Sequence, residues 1–216
     1  SLHDALPIFT QSDITVANVN GNPVGTLSNF SGTLNAKVFT VVLTPATGIT
    51  LPSTALLSVS ANTYADGVGN NNVSSATSPT VQIDTQAPVI TSVSMVGINS
   101  NNQTSDTLQL GDKVRISATL SEATHVTGTP AFNLQIGSTT KSATYVSGTG
   151  TDTLVFEYTI VLGDTDNAGG VTAPVNALVL NSATLKDTLG NNANTNFAGV
   201  VSGNDIVIET NANALA

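Results

Sequence analysis

Apolar and polar residues alternate with a period of two along most of the chain, a pattern typical of β-strands with one buried face. The alternation is clearest in the second half, where Leu154, Phe156, Tyr158 and Ile160 share one face. No segment keeps a helical period of apolar residues. Short strands at regular spacing, separated by turns of Gly, Asn and Asp, predict antiparallel β-sandwiches.

Further segments show the same alternation and complete the strand prediction. Strands are expected around 39–43, 57–61, 113–120 and 132–136, with a turn at 137–140 and a return strand through Ala143 and Tyr145. In the segment 113–120, the alternation predicts a buried face made of Val114, Ile116, Ala118 and Leu120.

One motif occurs twice and divides the chain into two units of the same kind. Both 66–71 and 187–192 read D-x-x-G-N-N, and each precedes a last strand with a similar ending, Ile-Asp-Thr at 83–85 and Ile-Glu-Thr at 208–210. Two matched features in the same order predict an internal repeat.

The predicted boundaries are a first unit at 9–84, a linker at 85–88 and a second unit at 89–212. Pro88 makes the linker short and semi-rigid. The first unit has no counterpart of the candidate strands 89–96 and 113–120, so we expect a sandwich truncated at its N-terminus. Residues 1–8 lack the abundance of Thr, Asn and Gly found in the rest of the chain and resemble a translated sequencing adapter, so they are interpreted as an artefact.

Composition excludes several classes of function. The chain of 216 residues is rich in Thr, Asn and Gly, has a net charge of −9 and contains only five Lys and Arg residues. That charge disfavours nucleic acid and anionic membrane surfaces as partners. The absence of cysteine excludes disulfides and thiolate metal sites, and no apolar run is long enough for insertion into a membrane as a helix.

The repeated loop, the Asp-Thr-Gln-Ala-Pro segment at 84–88 and the Leu-Ser-Glu-Ala segment at 120–123 resemble bacterial immunoglobulin-like repeats. Such repeats occur in tandem in large cell-surface adhesins of the biofilm-associated and RTX types. The second unit is also similar to repeats of a cyanobacterial swimming-motility surface protein. The resemblance implies an extracellular or cell-surface spacer that is often stabilised by calcium, with neighbouring repeats of the same chain as its partners.

The immunoglobulin-like topology also predicts a site. In such a sandwich Glu122 would lie just past the second strand and Asp187 just before the final hairpin, both at the end where the chain enters. The linker carboxylate Asp84 arrives at that same end. Three carboxylates at close range favour a Ca²⁺ ion, with Asn191 and backbone oxygens completing its ligands.

The same logic makes Asp66 and Glu209 half-sites that face a preceding and a following repeat. The alternative interpretation is that these loops are only turns, because Asp, Asn and Gly are the usual residues of turns. A second acidic loop at 164–169 begins like an EF-hand but has Val175 where the bidentate Glu is required. It is interpreted as a solvated acidic turn, with a weak calcium site as the alternative.

No motif for catalysis is present, and the lone native histidine, His125, is expected in a solvated loop. The chain is therefore interpreted as a non-enzymatic stalk repeat of an adhesin, supporting cell adhesion or biofilm formation. The alternatives are a glycan- or protein-binding immunoglobulin-like module and an accessory domain of an extracellular enzyme. The low aromatic content, 4% with no Trp, disfavours a glycan-binding platform.

Overall fold

The computed structural model describes residues 9–18, 20–32, 38–66, 68–166, 170–197, 201–202 and 205–210. The proposed artefact at 1–8, Gly67 of the first repeated loop and 167–169 of the acidic loop lie outside the described residues. The chain divides into two compact units, Ser1–Gln86 and Ala87–Ala216, and this division falls inside the segment assigned to the linker. Within the described part of the chain, no helix has the length and apolar character needed to cross a membrane.

The described residues of unit 1 form one short 3₁₀ turn, Gln11–Asp13, and two small antiparallel sheets. In the first sheet, β4 pairs with β1, β5 and β6; in the second, β2 pairs with β3. The strands are β1 Thr15–Ala17, β2 Gly25–Ser31, β3 Thr40–Pro45, β4 Ser53–Val59, β5 Ala76–Thr77 and β6 Val81–Ile83.

The buried core of unit 1 is small. Among its described apolar residues, only Val24, Ala55 and Ile83 are buried, and half-buried side chains such as Leu43 pack against them. In the same unit the ring of Phe9 lies 5.0 to 5.6 Å from three other aromatic rings, measured between centroids; they belong to Phe30, Phe39 and Tyr64.

Unit 2 is built on one large sheet in the order β13-β10-β11-β12-β9-β7-β16, with β14 added to β10 and β15 to β9. Its described strands pair antiparallel except for two short parallel pairs, β16 with β7 and β17 with β8, and one isolated parallel bridge joins Val89 to Asn194. The strands are β7 Ile90–Ile98, β8 Thr107–Leu108, β9 Lys113–Thr127, β10 Ala131–Ile136, β11 Thr139–Ser147, β12 Thr151–Thr159, β13 Val171–Thr172, β14 Leu178–Val179, β15 Thr184–Lys186, β16 Val201–Ser202 and β17 Val207–Ile208.

The core of unit 2 confirms the alternation read from the sequence. The predicted face of β9 is buried along its length, and Phe132 and Phe156, on β10 and β12, are fully buried with ring centroids 5.7 Å apart. Burial of this apolar surface is the main source of stability for the unit. The fold is therefore all-β and immunoglobulin-like, as predicted.

One strand is longer than the sequence pattern indicates. β9 continues to Thr127, so Glu122 and His125 lie inside the strand, and the predictions of a strand end before Glu122 and of a loop at His125 were wrong. The strand continues because its last residues gain a new partner, β15, with His125 opposite Lys186. A backbone pairing with a distant segment leaves no trace in the local alternation of side chains.

Candidate metal centre

The second copy of the repeated motif forms a tight turn around the Asp187 carboxylate. Oδ1 of Asp187 accepts hydrogen bonds from the backbone N–H groups of Leu189 (2.8 Å), Gly190 (2.6 Å) and Asn191 (2.9 Å), and the Asn191 side-chain Nδ2 donates to Oδ2 at 2.6 Å. Gly190 has φ of +99°, a conformation that favours glycine. The Asp, Gly and first Asn of the motif each have a defined role in this turn.

The first copy of the motif folds in the same way. Oδ1 of Asp66 accepts hydrogen bonds from the N–H groups of Val68 (3.0 Å) and Asn70 (2.9 Å), and Asn70 Nδ2 donates to Oδ2 at 3.0 Å. Gly69 has φ of +92°. The motif is therefore a turn in both units, and its hydrogen bonds alone do not identify a metal site.

Burial separates the two loops. Asp66 is exposed, whereas Asp187 is only 4% exposed. Burial raises the pKa of Asp187, but the hydrogen bonds from Asn191, Gly190 and Leu189 outweigh it and hold the pKa below its ordinary value. The pKa of Asp66 is also lowered, chiefly by the side-chain hydrogen bond from Asn70. Asp187 is thus an ionised carboxylate inside the protein.

Within unit 2, Glu122 is the acidic neighbour of this loop. A carboxylate oxygen of Glu122 lies within 4.8 Å of one of Asp187. β9 positions Glu122, and the turn after β15 positions Asp187. The structure therefore brings together two of the predicted ligands, which are far apart in sequence.

The chain enters unit 2 beside these two carboxylates. Asn194, which follows the Asp187 loop, donates its N–H to the Pro88 carbonyl at 2.8 Å, and Ser121, the neighbour of Glu122, donates to the Val89 carbonyl at 2.8 Å. Segments next to both acidic residues thus fix the first residues of unit 2, at what we call its proximal end. This is the end at which the sequence predicted a site.

Asp84 directly follows β6, the last described strand of unit 1. Its Oδ1 accepts the Gln86 N–H at 2.9 Å and its Oδ2 accepts the Leu51 N–H at 3.3 Å. The next residue, Thr85, is fixed by its hydroxyl, which donates to the Ala46 carbonyl at 2.8 Å. The carboxylate that precedes the linker is therefore held in place by its own unit.

In unit 2, the residue that follows Glu209 is also held by a hydrogen bond from its hydroxyl. The hydroxyl of Thr210, which follows Glu209, donates to the Asp164 carbonyl at 2.6 Å. Glu209 is exposed, like Asp66. Among the residues that the structure describes, neither Asp66 nor Glu209 lies in a cluster of three carboxylate or imidazole groups. Their assignment as half-sites stays a prediction.

The residues around Asp187 fit a hard divalent ion. Two oxygens bound to one Ca²⁺ at about 2.3 to 2.6 Å lie no more than about 5 Å apart, and the separation of Glu122 and Asp187 meets this limit. Asn191 holds Asp187 through its Nδ2, and an amide oxygen is a type of ligand that Ca²⁺ accepts. No sulfur or imidazole donor is needed for such a site.

The acidic loop after β12 differs from its prediction. The Asp164 side chain is fully buried rather than solvated; its Oδ1 lies 2.7 Å from Lys141 Nζ, and its Oδ2 accepts the Tyr158 hydroxyl at 2.8 Å. Burial raises the pKa of Asp164, but these partners and the Val161 N–H lower it overall. A cation supplied by β11, which local sequence does not reveal, neutralises this loop.

Two further ion pairs among the described residues lie on the large sheet of unit 2. Glu157 accepts hydrogen bonds from Lys113 Nζ at 2.8 Å and from Arg115 at 2.7 Å. These partners, Lys113 foremost, lower the pKa of Glu157 against the effect of burial. The antiparallel register of β9 and β12 places Arg115 opposite Glu157, so a correct strand pairing would have predicted this contact.

Comparison with protein families adds an independent observation on unit 1. Residues 1–83 match the family model of a bacterial Ig-like domain. The match supports the resemblance found in the sequence over this part of the chain, and its range includes the eight residues set apart as an adapter. No curated protein and no solved structure matches the chain significantly. The bacterial Ig-like domain is a non-catalytic type of fold.

Proposed function

We propose that the chain is a structural spacer from the stalk of a large bacterial surface or secreted adhesin, and that it supports cell adhesion or biofilm formation. A calcium ion bound by Asp84, Glu122 and Asp187 stiffens the joint between its two units. The observation that carries the proposal is the pair of carboxylates at the proximal end of unit 2, within 4.8 Å of each other. The family match of residues 1–83 supports a repeat of a surface protein.

Asp84 is the third ligand of this proposal because it lies close in sequence to the start of unit 2. Three residues, 85–87, separate it from Pro88, which the Asn194 N–H holds at the proximal end. Unit 1 holds the backbone that follows Asp84, through the Gln86 N–H and the Thr85 hydroxyl. A linker that is short and anchored in both units brings its carboxylate to a cation at little cost in conformational entropy.

The ion acts mechanically. It binds oxygens from Asp84, just before the linker, and from two segments of unit 2, so that bending at the joint breaks ligand bonds. Extracellular modules bind Ca²⁺ with dissociation constants of about 10⁻⁴ to 10⁻³ M. At about 10 mM Ca²⁺, binding to the folded state then adds about 1.4 to 2.7 kcal/mol to the free energy of unfolding.

Thermal unfolding of the full chain with and without Ca²⁺ tests the proposal. We expect Ca²⁺ to raise the unfolding temperature by several degrees, and Glu122→Gln to remove this shift while leaving the turn around Asp187 intact. Asp66→Ala is the matched control, since it alters the same motif in unit 1 and is expected to retain the shift. An unfolding temperature independent of Ca²⁺, or an equal shift in Glu122→Gln, would overturn the calcium joint.

A further inference from the structure

The first and last described segments of unit 2 pair with each other in parallel. β16 pairs with β7, and β17 pairs with β8, both in parallel register. The isolated parallel bridge between Val89 and Asn194 lies just before β7 on one side and before β16 on the other. The start of unit 2 and its last described strands are therefore linked to each other directly through the backbone.

Short backbone hydrogen bonds hold the pair formed by β8 and β17. Val207 donates its N–H to the Asp106 carbonyl at 2.7 Å, and Glu209 donates its N–H to the Leu108 carbonyl at 2.9 Å. Leu108 and Ile208, which are partners in this register, are buried in the core of the unit. Because a hydrogen bond shielded from water is stronger than an exposed one, this pair anchors the last described strand to the core.

Parallel pairing decides how these strands respond to tension. When unit 2 is pulled by its two ends, β7 and β8 are drawn toward the N-terminus, whereas β16 and β17 are drawn toward the C-terminus. Parallel strands pulled in these opposite directions slide along each other, and their evenly spaced hydrogen bonds lie across the line of pull. The bonds then carry the load together, whereas a hairpin pulled apart sideways loses its bonds one at a time.

We propose that the parallel pairs β7–β16 and β8–β17 form a mechanical clamp that resists extension of unit 2 by its ends. The clamp rests on the proposed function only in that a spacer within a stalk carries tension. It lies in unit 2 alone and needs no metal ion, so the clamp and the calcium joint can each fail without the other. Forced unfolding is governed by the rate of unfolding, and the clamp therefore predicts that mechanical and equilibrium stability separate in suitable variants.

Single-molecule force extension of the full chain, tethered at its two ends in the presence of a chelator, tests the clamp. Rupture of unit 2 is identified by its length, since Ala87–Ala216 releases more chain than Ser1–Gln86. Val207→Pro removes the N–H that binds Asp106, and we expect it to lower the rupture force of unit 2. Val207→Ala is the matched control: it keeps this N–H and changes a side chain that is 41% exposed, so the rupture force is expected to stay that of the unaltered chain.

A core variant separates mechanical from equilibrium stability. Leu134 lies on β10, outside the clamp, and is fully buried. Leu134→Ala is expected to lower the urea midpoint of unit 2 more than Val207→Pro does, but to lower the rupture force less. An unchanged rupture force in Val207→Pro, or rupture forces that simply follow the urea midpoints of the three variants, would overturn the proposal.

The direction of pulling gives a second readout that leaves the clamp strands unaltered. Since the chain has no cysteine of its own, Asn133→Cys and Ser142→Cys together provide two specific handles, and these positions are partners on the antiparallel strands β10 and β11. Load between them opens the hairpin bond by bond, and we expect this opening at a force well below that of end-to-end pulling. Equal forces in the two directions would overturn the clamp.

Discussion

The two D-x-x-G-N-N loops share a sequence and a set of hydrogen bonds but differ in their surroundings. In each, an Asp carboxylate accepts backbone N–H groups and the amide of an Asn four residues later. Asp66 is exposed, whereas Asp187 is buried beside Glu122. The motif therefore specifies a turn, and the chemistry of the site depends on what the rest of the unit packs around that turn.

The difference follows from the two units themselves. Unit 2 has an extensive buried core and a long strand, β9, that carries Glu122 to the second loop. In the described part of unit 1, three buried apolar residues form the core. A loop on unit 1 has less structure to cover it.

A third acidic loop, at Asp164, sharpens the contrast within unit 2. Its buried carboxylate is neutralised by Lys141, an amino-acid side chain of the same unit. Asp187 instead accepts hydrogen bonds from several neutral N–H groups and lies next to the carboxylate of Glu122. Calcium is therefore expected beside Asp187 and Glu122, where negative charge accumulates, and not beside Asp164, which Lys141 neutralises.

The largest expected effect comes from removing Lys141. Lys141→Met leaves Asp164 buried without its cation, which is expected to lower the free energy of unfolding by about 3 to 5 kcal/mol. Lys113→Met is the control: Lys113 is 45% exposed, and Arg115 still binds Glu157, so a loss below about 1 kcal/mol is expected. Urea unfolding measures both, and equal losses would contradict the role assigned to Lys141.

A smaller effect is expected from breaking the two repeated loops. Asp187→Ala removes the acceptor of four hydrogen bonds inside the protein, and we expect a loss of about 2 to 3 kcal/mol in the free energy of unfolding of unit 2. Asp66→Ala removes the same kind of acceptor at an exposed position, where water replaces the lost contacts. Urea unfolding of the two variants should rank Asp187→Ala as the more destabilised; the reverse order would contradict the comparison.

The smallest effect concerns pH. Asp187 has a folded-state pKa below its ordinary value of about 4. The stability that its ionised form contributes is therefore present above about pH 4 and is lost as the pH falls through the lower, folded-state pKa. Asp187→Asn should flatten the decline of the free energy of unfolding between about pH 5 and pH 2. An unchanged slope in urea titrations would show that Asp187 does not contribute.

The sequence predicted the all-β fold and the buried faces of β9, β10 and β12, because period-two alternation reports burial directly. It also indicated that Glu122 and Asp187 approach each other, through the immunoglobulin-like topology rather than through any local signal. It did not reveal that β9 continues through His125 or that Lys141 neutralises Asp164. Both features depend on pairing between segments distant in sequence, which local patterns do not record.

The most direct test of the central claim is isothermal titration calorimetry of Ca²⁺ into the chelator-treated full chain. We predict one site with a dissociation constant of about 10⁻⁴ to 10⁻³ M, lost in Glu122→Gln and in Asp84→Asn and retained in Asp66→Ala. The absence of binding in the unaltered chain, or unchanged binding in Glu122→Gln and Asp84→Asn, would contradict the account of a calcium-stiffened joint.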